Sequence, residues 1–345
     1  MTMLLDLSLA ELKQQIEEMG EKGFRAGQIY AWLTACVPFE QMSNLSKPLR
    51  EKLRERFSEG YPEIAQKLCS KDGTRKYLLR LADESVVECV LMNYEYGRTL
   101  CISTQVGCAM GCAFCASTKG GLRRNLSAGE ILGQVLRVNA DLGSGRNITN
   151  VVLMGTGEPL GNYDAVVSFL RLIHQKESLG MSMRNISLST CGLVPEIYRF
   201  AEEGLGATLC LSLHSAIQTK REQIMPIARK YPLHQVIRAM QAYSEKSGRR
   251  VIYEYILIAG LNDEKEDLDA LEQLLGGQNC HINLIPCNAT DGRFAAPTKG
   301  QVYRFLAGLE ERGLSATVRR TLGEDIDGAC GQLRARYLGL LDRTE

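Results

Sequence analysis

A chain of 345 residues with 45% hydrophobic content can bury a barrel-sized core with a smaller module beside it, which excludes an intrinsically disordered protein. Lys and Arg (41) balance Asp and Glu (40) to a formal net charge of +1, so a nucleic-acid partner has to be sought in local basic clusters. Residues 1–20 interleave Asp, Glu and Lys, which fits neither a signal peptide nor a membrane span, so the expected location is the cytoplasm and the 12 cysteines are thiols or ligands.

The chain opens in helices. Ser8 and Glu11 have the spacing of a capping box, with Leu9, Leu12, Ile16 and Met19 at helical intervals before Gly20. A second helix is expected over 26–35, with Ile29, Tyr30, Trp32 and Leu33 inward. Ser46, with Pro48 in the following turn, starts a third; Leu49, Leu53 and Phe57 form its apolar stripe, and Lys47, Arg50, Lys52, Arg54 and Arg56 its basic face. These make a small helical domain over residues 1–59.

The period then becomes alternating. Strands are expected at 64–69, 77–81 and 86–92, the first two joined through an Asp72-Gly73 turn, and together they form a short antiparallel extension over 60–100. A strand at 100–103 delivers Cys101. From 101 to 345 strand and helix alternate: strands at 151–154, 186–188, 207–213, 251–258, 282–285 and 316–318, and helices at 128–140, 165–174, 195–203, 233–244, 268–275 and 299–312. The class is α/β, with a parallel barrel or partial barrel. Cys36, Cys69, Cys89, Cys191, Cys210, Cys280 and Cys287 are expected to pack as small hydrophobes.

Chemistry concentrates at Cys108, Cys112 and Cys115, spaced C-x3-C-x2-C and framed by Gly107 and Gly120-Gly121. Three thiolates on one loop suit three irons of a cubane cluster and leave the fourth open to a small molecule. Zinc is the rival, but it wants four matched ligands, and no second C-x2-C or His pair follows, although His214 could in principle serve as a fourth. Four strand ends carry polar or glycine-rich signatures: Gly155-Thr156-Gly157-Glu158-Pro159, Ser189-Thr190, Ser212-Leu213-His214 and Pro286-Cys287-Asn288. In parallel barrels such ends build the site.

The cysteine spacing together with Gly157-Glu158-Pro159 resembles the radical S-adenosylmethionine superfamily. The tail from Gly323 to Leu333, with Cys330 amid Asp, Gly and Ala, is similar to the methyl-carrying loop of the RlmN/Cfr family of RNA adenine methyltransferases. Further similar stretches are Gln105-Val106-Gly107-Cys108, Arg124-Asn125-Leu126 and Ile282-Asn283-Leu284-Ile285-Pro286, and the likeness spans essentially the whole chain.

This resemblance implies a partial (β/α)6-type radical SAM barrel over 101–345. It also implies a 4Fe-4S cluster on Cys108, Cys112 and Cys115, and S-adenosylmethionine lined by Gly157, Glu158, Ser189, Ser212, Leu213, His214 and Asn288. In the family's scheme two S-adenosylmethionines are used per turnover. One methylates Cys330; the radical from the other takes a hydrogen from that methyl group, and the methylene radical adds to the adenine ring. Cys101 then resolves the adduct through a transient disulfide, and Glu88 acts as base. Without the resemblance Cys101 reads as a core thiol, and Glu88 as the outward residue of a half-buried strand.

The implied substrates are 23S rRNA at adenosine 2503 and tRNA at adenosine 37, modified on carbon 2. A one-electron donor such as flavodoxin or ferredoxin is implied, as is a monomer. The basic face of the third helix, Lys119, Arg123, Arg124, Arg249-Arg250 and Arg319-Arg320 are the candidate phosphate contacts, with residues 1–59 as the docking domain. Carbon-8 methylation by a Cfr-type enzyme and a non-catalytic iron-sulfur or zinc RNA-binding module are the alternatives.

Overall fold

The computed structural model describes residues 2–143, 147–287 and 293–326, with Tyr337 and Gly339. Asn288 and Cys330 lie outside the described residues. Three helices begin the chain: α1 (Leu9–Glu18), α2 (Arg25–Thr34) and α3 (Lys47–Arg56). The capping box at α1 forms as expected, with the Glu11 N–H donating to Ser8 Oγ at 3.3 Å and the Ser8 N–H to Glu11 Oε2 at 2.7 Å. Ser46 caps α3 by accepting from the Leu49 N–H.

Strands β1 (Glu63–Cys69), β2 (Arg75–Arg80), β3 (Val86–Tyr94) and β4 (Gly97–Cys101) follow as an antiparallel run. A two-stranded hairpin, β5 (Gln105–Gly107) with β6 (Leu122–Asn125), interrupts it and was not expected from periodicity. Then come α4 (Ala128–Asp141), β7 (Asn150–Leu153), α5 (Tyr163–His174), β8 (Ile186–Thr190), α6 (Val194–Glu202) and β9 (Thr208–Ser212). The chain continues through α7 (Gln218–Ile224), α8 (Leu233–Ser247), β10 (Val251–Leu257), α9 (Lys265–Leu275), β11 (Cys280–Pro286), α10 (Lys299–Glu311) and β12 (Ala316–Val318).

One sheet holds most strands, in the order β12-β11-β10-β9-β8-β7-β4-β3-β2-β1. From β4 to β12 every pairing is parallel, so six βα units and a closing strand form the partial barrel, while β3 to β1 extend it antiparallel from β4. Strand β4 starts at Gly97 rather than at residue 100, because the β3–β4 hairpin pairs Tyr94 with Gly97 and draws the earlier residues into the ladder. Among the described residues no helix is long and apolar enough to cross a membrane.

The helical domain does not stand apart in its packing. Leu12, Ile16, Ile29, Leu49 and Leu53 belong to the same continuous buried cluster as Leu136 of α4 and Leu188 of β8. Asp6 also accepts a 2.6 Å hydrogen bond from the Gly129 N–H at the start of α4. The expectation of a core thiol fails at Cys69, which is exposed because β1 is the sheet's edge strand.

Candidate active site

The parallel strands end on one rim, where a cavity of about 330 Å³ is lined by Cys101, Cys108, Cys112, Cys115, Gly157, Glu158, Ser189, Ser212 and His214. These are nine of the expected site residues, delivered by five different strand ends or loops. The cysteine loop hangs between β5 and β6. Gly107, at φ 84°, starts it, and a Cβ there would meet Gly121 O at 1.9 Å, so only glycine permits the closure. The Cys108 N–H donates to Gly121 O at 3.2 Å, the Cys115 N–H to Cys112 O at 3.1 Å, and the Ala113 N–H to Ile224 O of α7 at 2.8 Å.

Burial pushes the Cys112 thiol up, and neighbouring Cys115 and Cys108 push it further, since thiolates gathered closely repel one another. Such a set suits a ligand that brings compensating positive charge. Among the described residues no three His, Cys, Asp or Glu side chains converge as a single metal ion requires. A cubane asks for one thiolate at each of three separate irons instead.

Glu158 follows β7 through Gly157, whose φ of 112° and close approach to Gln105 leave no room for a side chain. The Glu158 N–H donates to Gln105 Oε1 at 2.8 Å. Its carboxylate accepts from the Leu160 N–H at 3.1 Å and, at the end of the adjacent strand β8, from the Cys191 N–H at 2.7 Å. Desolvation dominates and raises its pKa, although those donors pull the other way. A buried, pre-oriented carboxylate of this kind is matched to an ammonium group. Cys191 is buried among Ile224, Met225 and Ile256 as expected, and the same cluster forms part of the cavity wall.

His214 lies two residues past the end of β9, with a positive φ of 58°. Its Nδ1 accepts from the Ile256 N–H at 3.0 Å, which leaves the ring proton on Nε2, and Phe114 meets the ring edge-on at 4.7 Å between centroids. Burial, reinforced by nearby Arg221, lowers its pKa to about 3, so the imidazole is neutral. Leu213, between Ser212 and His214, is not among the residues lining the cavity; its side chain joins the core and its carbonyl accepts from Arg221 Nε at 3.0 Å.

Cys101 closes β4 and pairs with Val90 of β3. Glu88 stands two residues along β3 from Val90, on the same strand face, buried rather than outward, with Lys76 Nζ 3.7 Å from its carboxylate. Sequence reasoning missed Glu254, buried on β10, which accepts from Ser189 Oγ at 2.7 Å. A charged residue inside the apolar run Val251-Ile252-Tyr253-Glu254-Tyr255 was the available signal. Arg221 was missed as well, because α7 was not recognised.

The tail that leads toward Cys330 is held by the antiparallel extension. Asp72 accepts from the Gly323 N–H at 2.8 Å, and Asp325 accepts from Ser70 Oγ and from the Lys71 N–H. Just before it, Arg319, Arg320 and Leu322 line the cavity.

Several basic candidates have other employment. Arg124 forks onto Glu130 at 2.7 and 2.8 Å and reaches Asp83 at 2.7 Å, so it ties the hairpin to α4. Arg249 and Arg250 precede β10, at the opposite end of the barrel from the cavity, and Arg249 donates to Thr208 Oγ1. On α3, Lys52 pairs with Glu21 and Arg54 with Glu40.

Comparison with known proteins agrees with this geometry. Residues 102–271 match the family model described as the radical SAM superfamily, and residues 2–58 that of the ribosomal RNA large subunit methyltransferase N-terminal domain. The chain is 49% identical over 339 residues to a protein of Clostridium perfringens (strain 13 / Type A) named "Probable dual-specificity RNA methyltransferase RlmN", covering 97% of each. A protein of Geobacillus kaustophilus with the same name is 44% identical over 96% of this chain and 92% of its own. The crystal structure of a radical SAM methyltransferase from Sphaerobacter thermophilus superposes with a TM-score of 0.92, at 40% identity, over 96% of this chain and 99% of that one.

Proposed function

Because the chain belongs to the RlmN family of radical S-adenosylmethionine RNA methyltransferases, we propose that it methylates carbon 2 of adenosine 2503 in 23S rRNA and of adenosine 37 in tRNAs. The observation that carries this reading is one cavity bringing together three loop thiols, Glu158 and Cys101, with the segment toward Cys330 crossing its rim.

Cys108, Cys112 and Cys115 would hold the 4Fe-4S cluster. Gly157, Glu158, Ser189, Ser212, His214, the main chain at Leu213, and Asn288 would hold S-adenosylmethionine, with Glu158 on its ammonium group. When bound, these groups supply an electron, a methyl group and a carbon-centred radical.

The protein's own residues do the rest. Carbon 2 of adenine is electrophilic, so a sulfonium methyl cannot pass to it by displacement; the Cys330 thiolate would accept the methyl first and hold it where the radical that bound S-adenosylmethionine supplies would take a hydrogen atom from it. Once the activated methyl carbon has bonded to carbon 2 and the ring has given up its proton and one electron, the base is held to Cys330 as a thioether. The Cys101 thiolate then attacks the Cys330 sulfur, the sulfur–carbon bond breaks, the carbon leaves with the base and is protonated to a methyl group, and the disulfide left behind is reduced by an external thiol. Glu88, two residues along β3 from the partner of Cys101 and with Lys76 Nζ 3.7 Å from its carboxylate, takes the ring proton. Arg319 and Arg320 at the rim meet phosphates of an RNA whose adenosine has left its stack. We place the enzyme in the cytoplasm as a monomer, served by a one-electron donor of the flavodoxin or ferredoxin kind.

Anaerobic reconstitution with iron and sulfide, followed by reaction with methyl-labelled S-adenosylmethionine on rRNA and tRNA, tests this. Nucleoside mass spectrometry is expected to show 2-methyladenosine; 8-methyladenosine alone overturns the carbon-2 assignment, and full activity of Cys330→Ala overturns the relay.

A further inference from the structure

Arg221, on α7, has no solvent exposure and is the largest fully buried side chain described. Its Nε donates to Leu213 O at 3.0 Å and its Nη2 to Cys191 O at 2.8 Å and Ser212 O at 3.3 Å, while Nη1 is buried without a hydrogen-bond partner. Backbone carbonyls satisfy donors but neutralise no charge. Among the described residues all of its hydrogen-bond partners are backbone carbonyls and no carboxylate pairs with it: Glu158 bonds to the Leu160 and Cys191 N–H groups and Glu254 to Ser189. Taking a guanidinium out of water without an anion is strongly unfavourable, so the fold holds a buried cation in want of a counter-ion.

The position of α7 indicates which anion. Its last residue, Ile224, accepts the hydrogen bond from Ala113 of the cysteine loop, and Ile224 and Met225 pack against Met110, Cys112 and Phe114. Arg221 lies one turn earlier on the same helix. A cubane held by three thiolates is net negative when oxidised and one unit more negative when reduced. A fixed, buried positive charge therefore favours the reduced form and raises the potential.

We propose that Arg221 is the built-in counter-charge of the cluster and sets the potential at which the cluster takes up its electron. This rests on the reading that Cys108, Cys112 and Cys115 hold a 4Fe-4S cluster. Arg221 acts on the cluster from its surroundings and is a positioning and tuning residue.

The test compares wild type with Arg221→Met, Arg221→Gln and Arg221→Lys, each reconstituted anaerobically, assayed for iron and sulfide, and titrated with dithionite under electron paramagnetic resonance. At the wild-type midpoint, Arg221→Met is expected to show a reduced-to-oxidised ratio at least about tenfold lower, a shift of about 59 mV for one electron. Arg221→Lys stays near wild type. The metal-free protein separates this role from bracing of the carbonyls: with the charge gone, metal-free Arg221→Met is expected to melt at or above the wild-type Tm, whereas loss of a mere brace lowers it. A folded Arg221→Met that fails to retain iron, where Arg221→Lys retains it, also supports the proposal. A fully loaded Arg221→Met with an unchanged midpoint overturns it, as does a lysine variant shifted as far as the methionine one. If Arg221→Met does not fold, the Gln and Lys pair decides by the same midpoints, equal values overturning the proposal. Wild type that binds no iron and sulfide overturns the cluster reading instead.

Discussion

His214 and Glu158 are both deeply buried titratable groups at the cavity, and burial shifts them in opposite directions because it disfavours whichever form is charged. For His214 the folded pKa, about 3, lies below the ordinary value of 6.5, so the folded state resists a proton that the unfolded chain accepts. Its contribution to stability is complete above pH 6.5 and is lost progressively as pH falls from there toward 3. By linkage it amounts to about 2 kcal/mol lost on going from pH 7.5 to pH 5. His214→Asn keeps an acceptor for the Ile256 N–H and is expected to flatten that part of the stability profile in urea titrations; an equally steep profile in the variant would mean other groups cause it. For Glu158 the raised pKa predicts that S-adenosylmethionine binding weakens on acidification beginning above the ordinary carboxylate range. Glu158→Gln should bind more weakly and without that pH dependence in calorimetry, and a variant matching wild type across the range would remove Glu158 from the ligand site.

At the scale of elements, the antiparallel extension gains a role that its sequence did not suggest. The turn between β1 and β2 grips the backbone at Gly323 and the carboxylate of Asp325, only a few residues before Cys330. Placing a reacting thiol is a matter of holding geometry, and small displacements cost rate rather than affinity. Asp325→Ala is therefore expected to slow methyl transfer to Cys330 roughly tenfold, as followed by intact-protein mass spectrometry, with S-adenosylmethionine affinity unchanged. A wild-type rate would show that the turn does not position the tail. The β5–β6 hairpin is the other unforeseen element. Its strands are three and four residues long with a register shift, too short to show alternation, yet their glycine-bounded ends set the loop on which all three site cysteines sit.

For the whole molecule, the shared core of helical domain and barrel predicts one cooperative unit. The single tryptophan, Trp32 on α2, reports on the helical domain, donating from Nε1 to Asn44 Oδ1 at 2.6 Å. Its fluorescence and the far-ultraviolet circular dichroism should follow the same urea transition; fluorescence changing first would show a separately folding domain. The same packing makes charge reversal on α3 a cleaner probe of RNA docking than deletion, which would remove Leu12, Leu49 and their neighbours from the shared core and uncover barrel residues.

By itself the sequence determined what depends on near neighbours. The main strand and helix periods, the caps at Ser8 and Ser46, the cysteine spacing and the Gly157-Glu158 turn are all set within a few residues, and the expected elements form to within a few residues of their bounds. Only the tertiary structure decided that Cys191, packed in an apolar cluster, also lines the cavity wall, that Arg124 is consumed by Glu130 and Asp83, that Glu254 lines the cavity, and that Arg221 braces the backbone behind it. Those groups come from strands and helices far apart in the chain, and their chemistry is fixed by which partners and how little water meet them at the rim. Parallel packing settles that, and no local spacing records it.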